Sequence, residues 1–310
     1  MAAHLPEADP ETLAAGVSVD VTPDVAARVE AVAAPFVERL IAAPVGSAAF
    51  RRAVTAIDGL GDREIRATTE IARNFQERPA RALKGLLGEG APLSRNLARL
   101  RKAVETLARA PSEMDRAEGL VRQVVEALDG NRQTLEEDNA AIAQQEVALW
   151  REIQALREYA VLAARIDQLL DERIASLAAT DPAHSRGLAD EAQFSIRRRR
   201  RDLLLQLAVA TQGYAALRVI EQDNLEVIWA IRAATTTTAT ALRAAMLVRG
   251  AMADSTLAGK ADLAGWKRAW SDVLGAVDQV DVRKRRTLEE MAKPALAERS
   301  PRRVGPPQRS

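Results

Sequence analysis

The apolar residues between positions 113 and 178 keep a single period of seven along the whole stretch. Counted in sevens from Met114, ten successive positions are apolar. The nine that follow Met114 are Val121, Leu128, Leu135, Ile142, Leu149, Leu156, Ala163, Leu170 and Leu177. A strict heptad predicts one helix, roughly 100 Å long, that supercoils with a partner helix through this stripe.

A second long helical pattern follows a turn signal. The sequence Thr180-Asp181-Pro182, with Gly187 after it, favours a break. From Leu203 to Ala245, alternating steps of four and three land on a second, mostly apolar stripe, and the pattern ends near Ala253. Two long helices joined by a short turn pack antiparallel. With the turn centred near residue 183, a residue at position i is predicted to face roughly position 366 − i.

Polar residues interrupt both stripes at matching depths. The predicted polar layer consists of Asn131, Asp138, Asn139, Gln145, Glu221 and Asn224. Such a layer costs stability unless each group finds a partner, and fixing register or oligomeric state is its best-attested role. We favour that structural interpretation, and a binding site within the bundle is the alternative.

The flanking segments complete an all-α prediction: a long antiparallel coiled-coil hairpin, a third long C-terminal helix and a small N-terminal helical bundle. Residues 1–24 contain five carboxylates and no Lys or Arg, which is typical of a disordered acidic arm. The predicted divisions are a disordered acidic arm (1–23), short N-terminal helices (24–111), the coiled-coil body (112–293) and a disordered basic tail (294–310).

Composition argues against most catalytic chemistry. The chain has no Cys and only two His, so we expect no thiol redox chemistry, no metal site, no cofactor and no catalytic triad. No Gly-rich phosphate loop is present. The protein is therefore predicted not to be an enzyme. Cysteine-free composition also favours the cytoplasm, and neither a signal peptide nor a transmembrane helix is expected.

One charge cluster stands apart, the run of five arginines from Arg197 to Arg201 directly before Asp202. Guanidinium groups suit oxyanions and phosphates, so Arg197, Arg199, Arg201 and Asp202 are candidates for anion binding or interaction. The alternative is that the arginines pair with Asp167, Asp171 and Glu172 across the turn. Nucleic acid is not expected as a partner, because no aromatic residues alternate with the basic ones.

The same stretch carries a family resemblance. Residues Phe194 to Tyr214, continuing through Asp223-Asn224-Leu225 to Leu242, resemble the signature of the toxic-anion (tellurite) resistance family often called TelA, and residues Leu128 to Asn139 resemble its first block. By position, the family's polar residues fall on Arg197, Arg199, Asp202, Gln206, Gln212, Asn139 and Asn224. Ser195 replaces the Pro common in the family, which leaves open whether the second long helix begins near Gly187 or near Phe194.

The resemblance implies a cytoplasmic protein linked to resistance to tellurite and related oxyanions, or to envelope stress. We expect a non-enzymatic coiled-coil scaffold that holds protein partners of a stress-resistance system. The alternative is direct binding of an oxyanion or anionic headgroup through Arg197 to Arg201. Self-association and peripheral contact with the inner membrane surface are further expectations, and an enzyme remains the third hypothesis.

Overall fold

The computed structural model describes residues 22–77, 79–109, 114–254, 268–269 and 271–288 of the 310-residue chain. Helices dominate these ranges, and no strand occurs in them. The all-α prediction is therefore confirmed. The predicted acidic arm and basic tail fall almost entirely outside the described residues.

Within the described ranges, seven α-helices precede a π-helical turn, and two further helices follow it. The first five are α1 (Pro23–Ala42), α2 (Ala48–Asp58), α3 (Asp62–Glu77), α4 (Pro79–Leu87) and α5 (Pro92–Arg109). The remainder are α6 (Met114–Leu177), α7 (Pro182–Gly187), the π-helical turn Leu188–Gln193, α8 (Phe194–Asp254) and α9 (residues 271–288).

Local sequence signals explain where the short helices begin. The hydroxyl of Thr22 accepts a hydrogen bond from the Val25 amide, and that of Ser47 accepts one from the Phe50 amide. Two differences from the sequence prediction are visible. Pro35, predicted to interrupt α1, lies inside it. Residues 79–87, predicted as a connector, form α4 because proline is well tolerated in a first helical turn and Leu83 and Leu87 are buried.

The long helix α6 matches the heptad prediction closely. Eight successive heptad positions, from Val121 to Leu170, are each at most 3% exposed. The helical backbone is continuous from Pro182 through the π-helical turn into α8, so the second long helix begins before both of the positions considered from the sequence. Ser195 thus lies inside a continuous helix, where a Pro would remove a backbone hydrogen-bond donor.

The chain divides into two compact units, each containing part of α6 and part of α8. Unit 1 combines residues 1–73 with 146–215. In it, α1 lies along α6 through ion pairs that include Arg28 to Glu158 at 2.6 Å and Arg165 to Glu30 at 2.6 Å. The α3 helix packs beside α8, and the Gln206 side chain donates to the Thr68 hydroxyl at 2.7 Å.

Unit 2 combines residues 74–145 with 216–310. In it, α9 contacts both α5 and α8. Lys284 of α9 donates to the Ser94 hydroxyl of α5 at 2.8 Å, and Arg283 of α9 pairs with Glu226 of α8. The buried apolar residues that α9 contributes are Val273, Ala276, Val277 and Val280.

One window within Pro182–Ala244 has the length and mean hydropathy, 1.4, of a membrane-crossing helix. Of that window, 28% is buried inside the fold. Core helices of water-soluble proteins pass the same test, so the window is weak evidence on membrane location.

Candidate functional site

The arginine run of unit 1 lies on the first two turns of α8 and faces several neighbours. Arg197 donates through Nε to Asp167 at 2.8 Å and through Nη2 to Asp171 at 3.0 Å, both on α6. The hydrogen bond that Arg197 donates to Asp167, with the charges of both aspartates, raises the pKa of Arg197 above its ordinary value. The pairing alternative considered from the sequence is thus what the structure shows for this residue, although Glu172 takes no part.

The next two arginines bind the N-terminal helices. Arg198 pairs with Asp58 at the end of α2 at 2.8 Å. Arg199 is nearly buried, donates to the Leu60 carbonyl at 2.6 Å and pairs with Asp62 at the start of α3. Both contacts of Arg199 fall on the short α2–α3 turn, so this side chain fixes α3 against α8.

The last two arginines of the run are free of such contacts. Arg200 and Arg201 are exposed, as is Asp202, and none of the three forms an ion pair within the described ranges. Of the predicted candidates, Arg197 and Arg199 therefore hold helices together, whereas Arg201 and Asp202 are available to a partner. The guanidinium groups diverge around the helix and form no single patch.

An apolar stripe that the sequence prediction did not include lies beside Arg201. Phe194, Leu205 and Val209 are 59%, 68% and 50% exposed. With Arg201 they recur at intervals of seven, four and four residues, which places all four side chains on one side of the helix. We call these four residues the α8 outer face. The signal was present, because Leu205 and Val209 are apolar yet lie outside the buried series that begins at Leu203.

The polar layer of unit 2 centres on two asparagines. Asn224 donates to the Oδ1 atom of Asn139 at 2.9 Å, and Asn139 donates to the backbone carbonyl of Glu221 at 3.4 Å. The predicted register placed Asn224 near Ile142, one helical turn from its observed partner. Glu221 enters through its carbonyl, and its carboxylate takes no part in this hydrogen bond.

The other members of the layer are less well satisfied. Asn131, Asp138 and Gln145 repeat at intervals of seven, and each has a buried side-chain atom without a hydrogen-bond partner within the described residues. Burial raises the pKa of Asp138, and the charge of neighbouring Glu137 raises it further. The layer therefore carries an energetic cost that the Asn139–Asn224 pair offsets only in part.

The contacts of both clusters join helices to one another. Within the described ranges, no group of three or more His, Asp or Glu side chains converges to hold a metal ion. His184, the histidine within the described ranges, lies in α7. Its Nε2 atom forms a hydrogen bond of 2.9 Å with the Ile41 carbonyl. The arginine run can hold helices and present charge, and the polar layer can fix register.

Comparison with known families gives one match. The family model described as toxic anion resistance protein (TelA) matches residues 88–264, a little over half of the chain. No curated protein and no solved structure shows a significant match. The matched range includes Asn139, Asn224 and the arginine run, and it begins after α1 to α4.

Proposed function

This chain belongs to the toxic anion resistance (TelA) family, and we propose that it serves resistance as a non-enzymatic scaffold that holds protein partners. The association with toxic anion resistance follows from the family match. The scaffold role is our proposal, and the α8 outer face is the surface that we assign to it.

The observation that carries the proposal is the contrast between two sides of one helix. On the inner side of α8, Leu203, Leu207 and Ala210 are at most 5% exposed. On the outer side, Leu205 and Val209 are at least half exposed. Contiguous exposed apolar side chains with a polar rim are typical of interaction surfaces, because leaving them in water costs free energy that a partner recovers.

The chemistry of the chain supports a role without turnover. Reduction of an oxyanion would need a thiol, a flavin or a redox metal, and the sequence contains no cysteine. The family residues Arg197, Arg199 and Gln206 are engaged in contacts between helices. These contacts give the three residues a structural role, which is what we expect of residues in a scaffold protein. Turnover of tellurite by the purified protein without added thiol would contradict this part of the proposal.

Co-purification tests the scaffold role. The tagged wild-type chain is isolated from its host under tellurite stress, beside a Leu205→Ser/Val209→Ser variant of the α8 outer face. A Val32→Ser/Val147→Ser variant is the matched control, since both valines are more than half exposed elsewhere in unit 1. We expect one set of partners with wild type and control that is lost from the outer-face variant. Recovery of the wild-type chain alone would contradict the proposal.

A second candidate function rests on the exposed Arg200 and Arg201. Unpaired guanidinium groups can bind an oxyanion or an anionic headgroup, at the cytoplasmic surface of the membrane in the latter case. Titration with tellurite, with phosphate and with vesicles containing phosphatidylserine tests this. Equal binding by wild type and by an Arg200→Ala/Arg201→Ala variant would eliminate it.

Localisation and assembly are part of the same proposal. We place the protein in the cytoplasm, with peripheral contact at the inner membrane surface, and self-association remains a prediction for which analytical ultracentrifugation is the direct test. Neither a cofactor nor nucleic acid is proposed.

A further inference from the structure

We infer that the acidic N-terminal segment, residues 1–21, docks on the α8 outer face of its own chain. The biological consequence of this docking rests on the proposed function, because the segment and a protein partner would then compete for one surface. It does not need the proposed function for the contact itself, which is a property of the isolated chain.

Charge complementarity is the first argument. Residues 1–21 contain four carboxylates and no Lys or Arg. The four are Glu7, Asp9, Glu11 and Asp20. The outer face carries the unpaired Arg201, with the exposed Arg200 next to it in sequence. Arg197 to Arg199 have aspartate partners already. Arg200 and Arg201 together outweigh the exposed Asp202, so the charge still available on this part of α8 is positive.

Apolar complementarity is the second argument. The segment also contains Leu5, Leu13 and the alternating valines Val17, Val19 and Val21. Leu205 and Val209 on α8 leave apolar surface open to match them, and Phe194 extends that surface by a large ring. An acidic segment with regularly placed apolar residues can therefore satisfy both components of the face.

The point at which the segment joins the fold also favours docking on this face. Along α6, Glu158 lies between Trp150, whose ring centroid is 5.4 Å from that of Tyr214, and Asp167, which binds Arg197. Glu158 is therefore level with the part of α8 that includes Leu205. Arg28 binds Glu158, and α1 begins only five residues earlier, at Pro23. The segment thus joins the fold at the level of the outer face.

The length of the segment and its covalent attachment to α1 also favour docking. The outer face, from Phe194 to Val209, is about 22 Å long at 1.5 Å per residue. An extended segment of 21 residues spans roughly 70 Å, which is ample for it to follow the face after crossing from α1. A tethered segment is also present at an effective concentration in the millimolar range, which favours it over a weak partner in solution.

The experiment uses the full chain, whose lack of native cysteine permits specific spin labelling. Labels at Ala8→Cys and Gln212→Cys report the distance between segment and face by pulsed electron spin resonance. The inference predicts a narrow distance population. An Arg201→Glu/Leu205→Glu variant should lower the docking equilibrium constant roughly fivefold to tenfold and leave the broad distribution of a free chain.

Two variants separate docking from general damage. Val147→Glu/Arg151→Glu is the matched control, because it also replaces one exposed apolar residue and one exposed arginine by glutamate, four residues apart, on α6 of unit 1. We expect it to keep the narrow population. A Glu7→Lys/Asp9→Lys/Glu11→Lys segment should lose docking on the wild-type face and regain it on the Arg201→Glu/Leu205→Glu face.

The remaining outcomes overturn the inference. These are a broad distribution in the wild-type chain, a narrow one that the outer-face variant retains, a narrow population between chains that carry one label each, and one that forms only with phosphatidylcholine–phosphatidylserine vesicles. The third would assign the face to a second copy and the fourth to a lipid surface. The proposed function is judged separately by partner recovery, so the two can fail independently.

Discussion

The side-chain amide of Asn224 donates to the side-chain oxygen of Asn139 at 2.9 Å, and Asn224 is completely buried. Two long helices thus meet through an amide pair within the polar layer, between the buried apolar positions Leu135 and Ile142. This pair sets the register locally, because a slip by one turn would leave both amides facing leucine, isoleucine or valine. Both residues lie within the range that the family model matches.

The asparagine pair predicts a specific pattern of stability. Asn224→Leu leaves the Asn139 side chain buried without its partner, so the free energy of unfolding should fall by about 1–3 kcal/mol. The Asn139→Leu/Asn224→Leu double variant should regain most of that loss, since matched apolar side chains replace both polar ones. Urea unfolding of the two single variants and the double variant measures the coupling. Additive losses would show that the pair does not act as a unit.

Asp138 predicts a pH effect of defined sign. Because the pKa of Asp138 is raised in the folded state, the folded chain still binds this proton at pH values between the ordinary aspartate pKa and the raised one. The unfolded chain has already released the proton in that interval. The contribution of Asp138 to the free energy of unfolding therefore falls as the pH rises through that interval, and the penalty persists at pH 7. Asp138→Asn should be more stable than wild type at pH 7, with the difference vanishing in acid.

Thermal unfolding of wild type and Asp138→Asn across this pH range measures the difference directly. Other carboxylates have the opposite shift, for example Glu30, whose pKa is lowered by its hydrogen bond to Arg165. The subtraction removes these shared contributions. A variant less stable than wild type at neutral pH would contradict the assignment.

Arg199 and Arg200 are adjacent arginines with opposite expectations. Arg199→Ala removes the contacts to the Leu60 carbonyl and Asp62, and should cost about 2 kcal/mol. Arg199→Lys should restore only part of this, because an ammonium group cannot make the same forked contact. Arg200→Ala, at an exposed position, should change stability by less than about 0.5 kcal/mol. Guanidinium chloride unfolding compares the three, and equal losses at both positions would refute the structural role of Arg199.

Gly61 has a left-handed backbone conformation and close neighbouring side chains. Gly46 has the left-handed conformation without the close neighbours. Their φ angles are +73° and +76°. A Cβ atom at Gly61 would lie 2.8 Å from Cδ2 of Leu203 and 3.3 Å from Cγ of Tyr159, while nothing lies within 4 Å of one at Gly46. Gly46→Ala should cost about 1 kcal/mol for the backbone alone, and Gly61→Ala measurably more. Similar melting temperatures for the two variants would argue against tight packing of the α2–α3 turn on α6 and α8.

Sequence alone predicted the features that local pattern determines. The heptad of α6 has eight consecutive buried positions because a single period must face one neighbour throughout. The register estimate was correct to within about one turn. Its error comes from the connection, where α7 and a π-helical turn occupy residues that a symmetrical turn would not need. The α4 helix was missed because its Pro and Gly residues resemble those of a connector.

The partners of the arginine run could be predicted only in part. Asp167 and Asp171 lie across a short turn from Arg197, so antiparallel pairing of the helices brings them together. Asp58 and Asp62 are about 140 residues away from Arg198 and Arg199, and only the packing of α2 and α3 places them there. The exposed Leu205 and Val209 were similarly hidden, because a stripe of apolar residues does not reveal which of its sides another helix covers.

Survival under tellurite is the most direct test of the claim that the protein acts through the α8 outer face. A strain lacking the protein is complemented with wild type, with Leu205→Ser/Val209→Ser or with Val32→Ser/Val147→Ser, at matched protein levels. The account predicts that wild type and the valine control restore growth while the outer-face variant does not. Full resistance from the outer-face variant would contradict it.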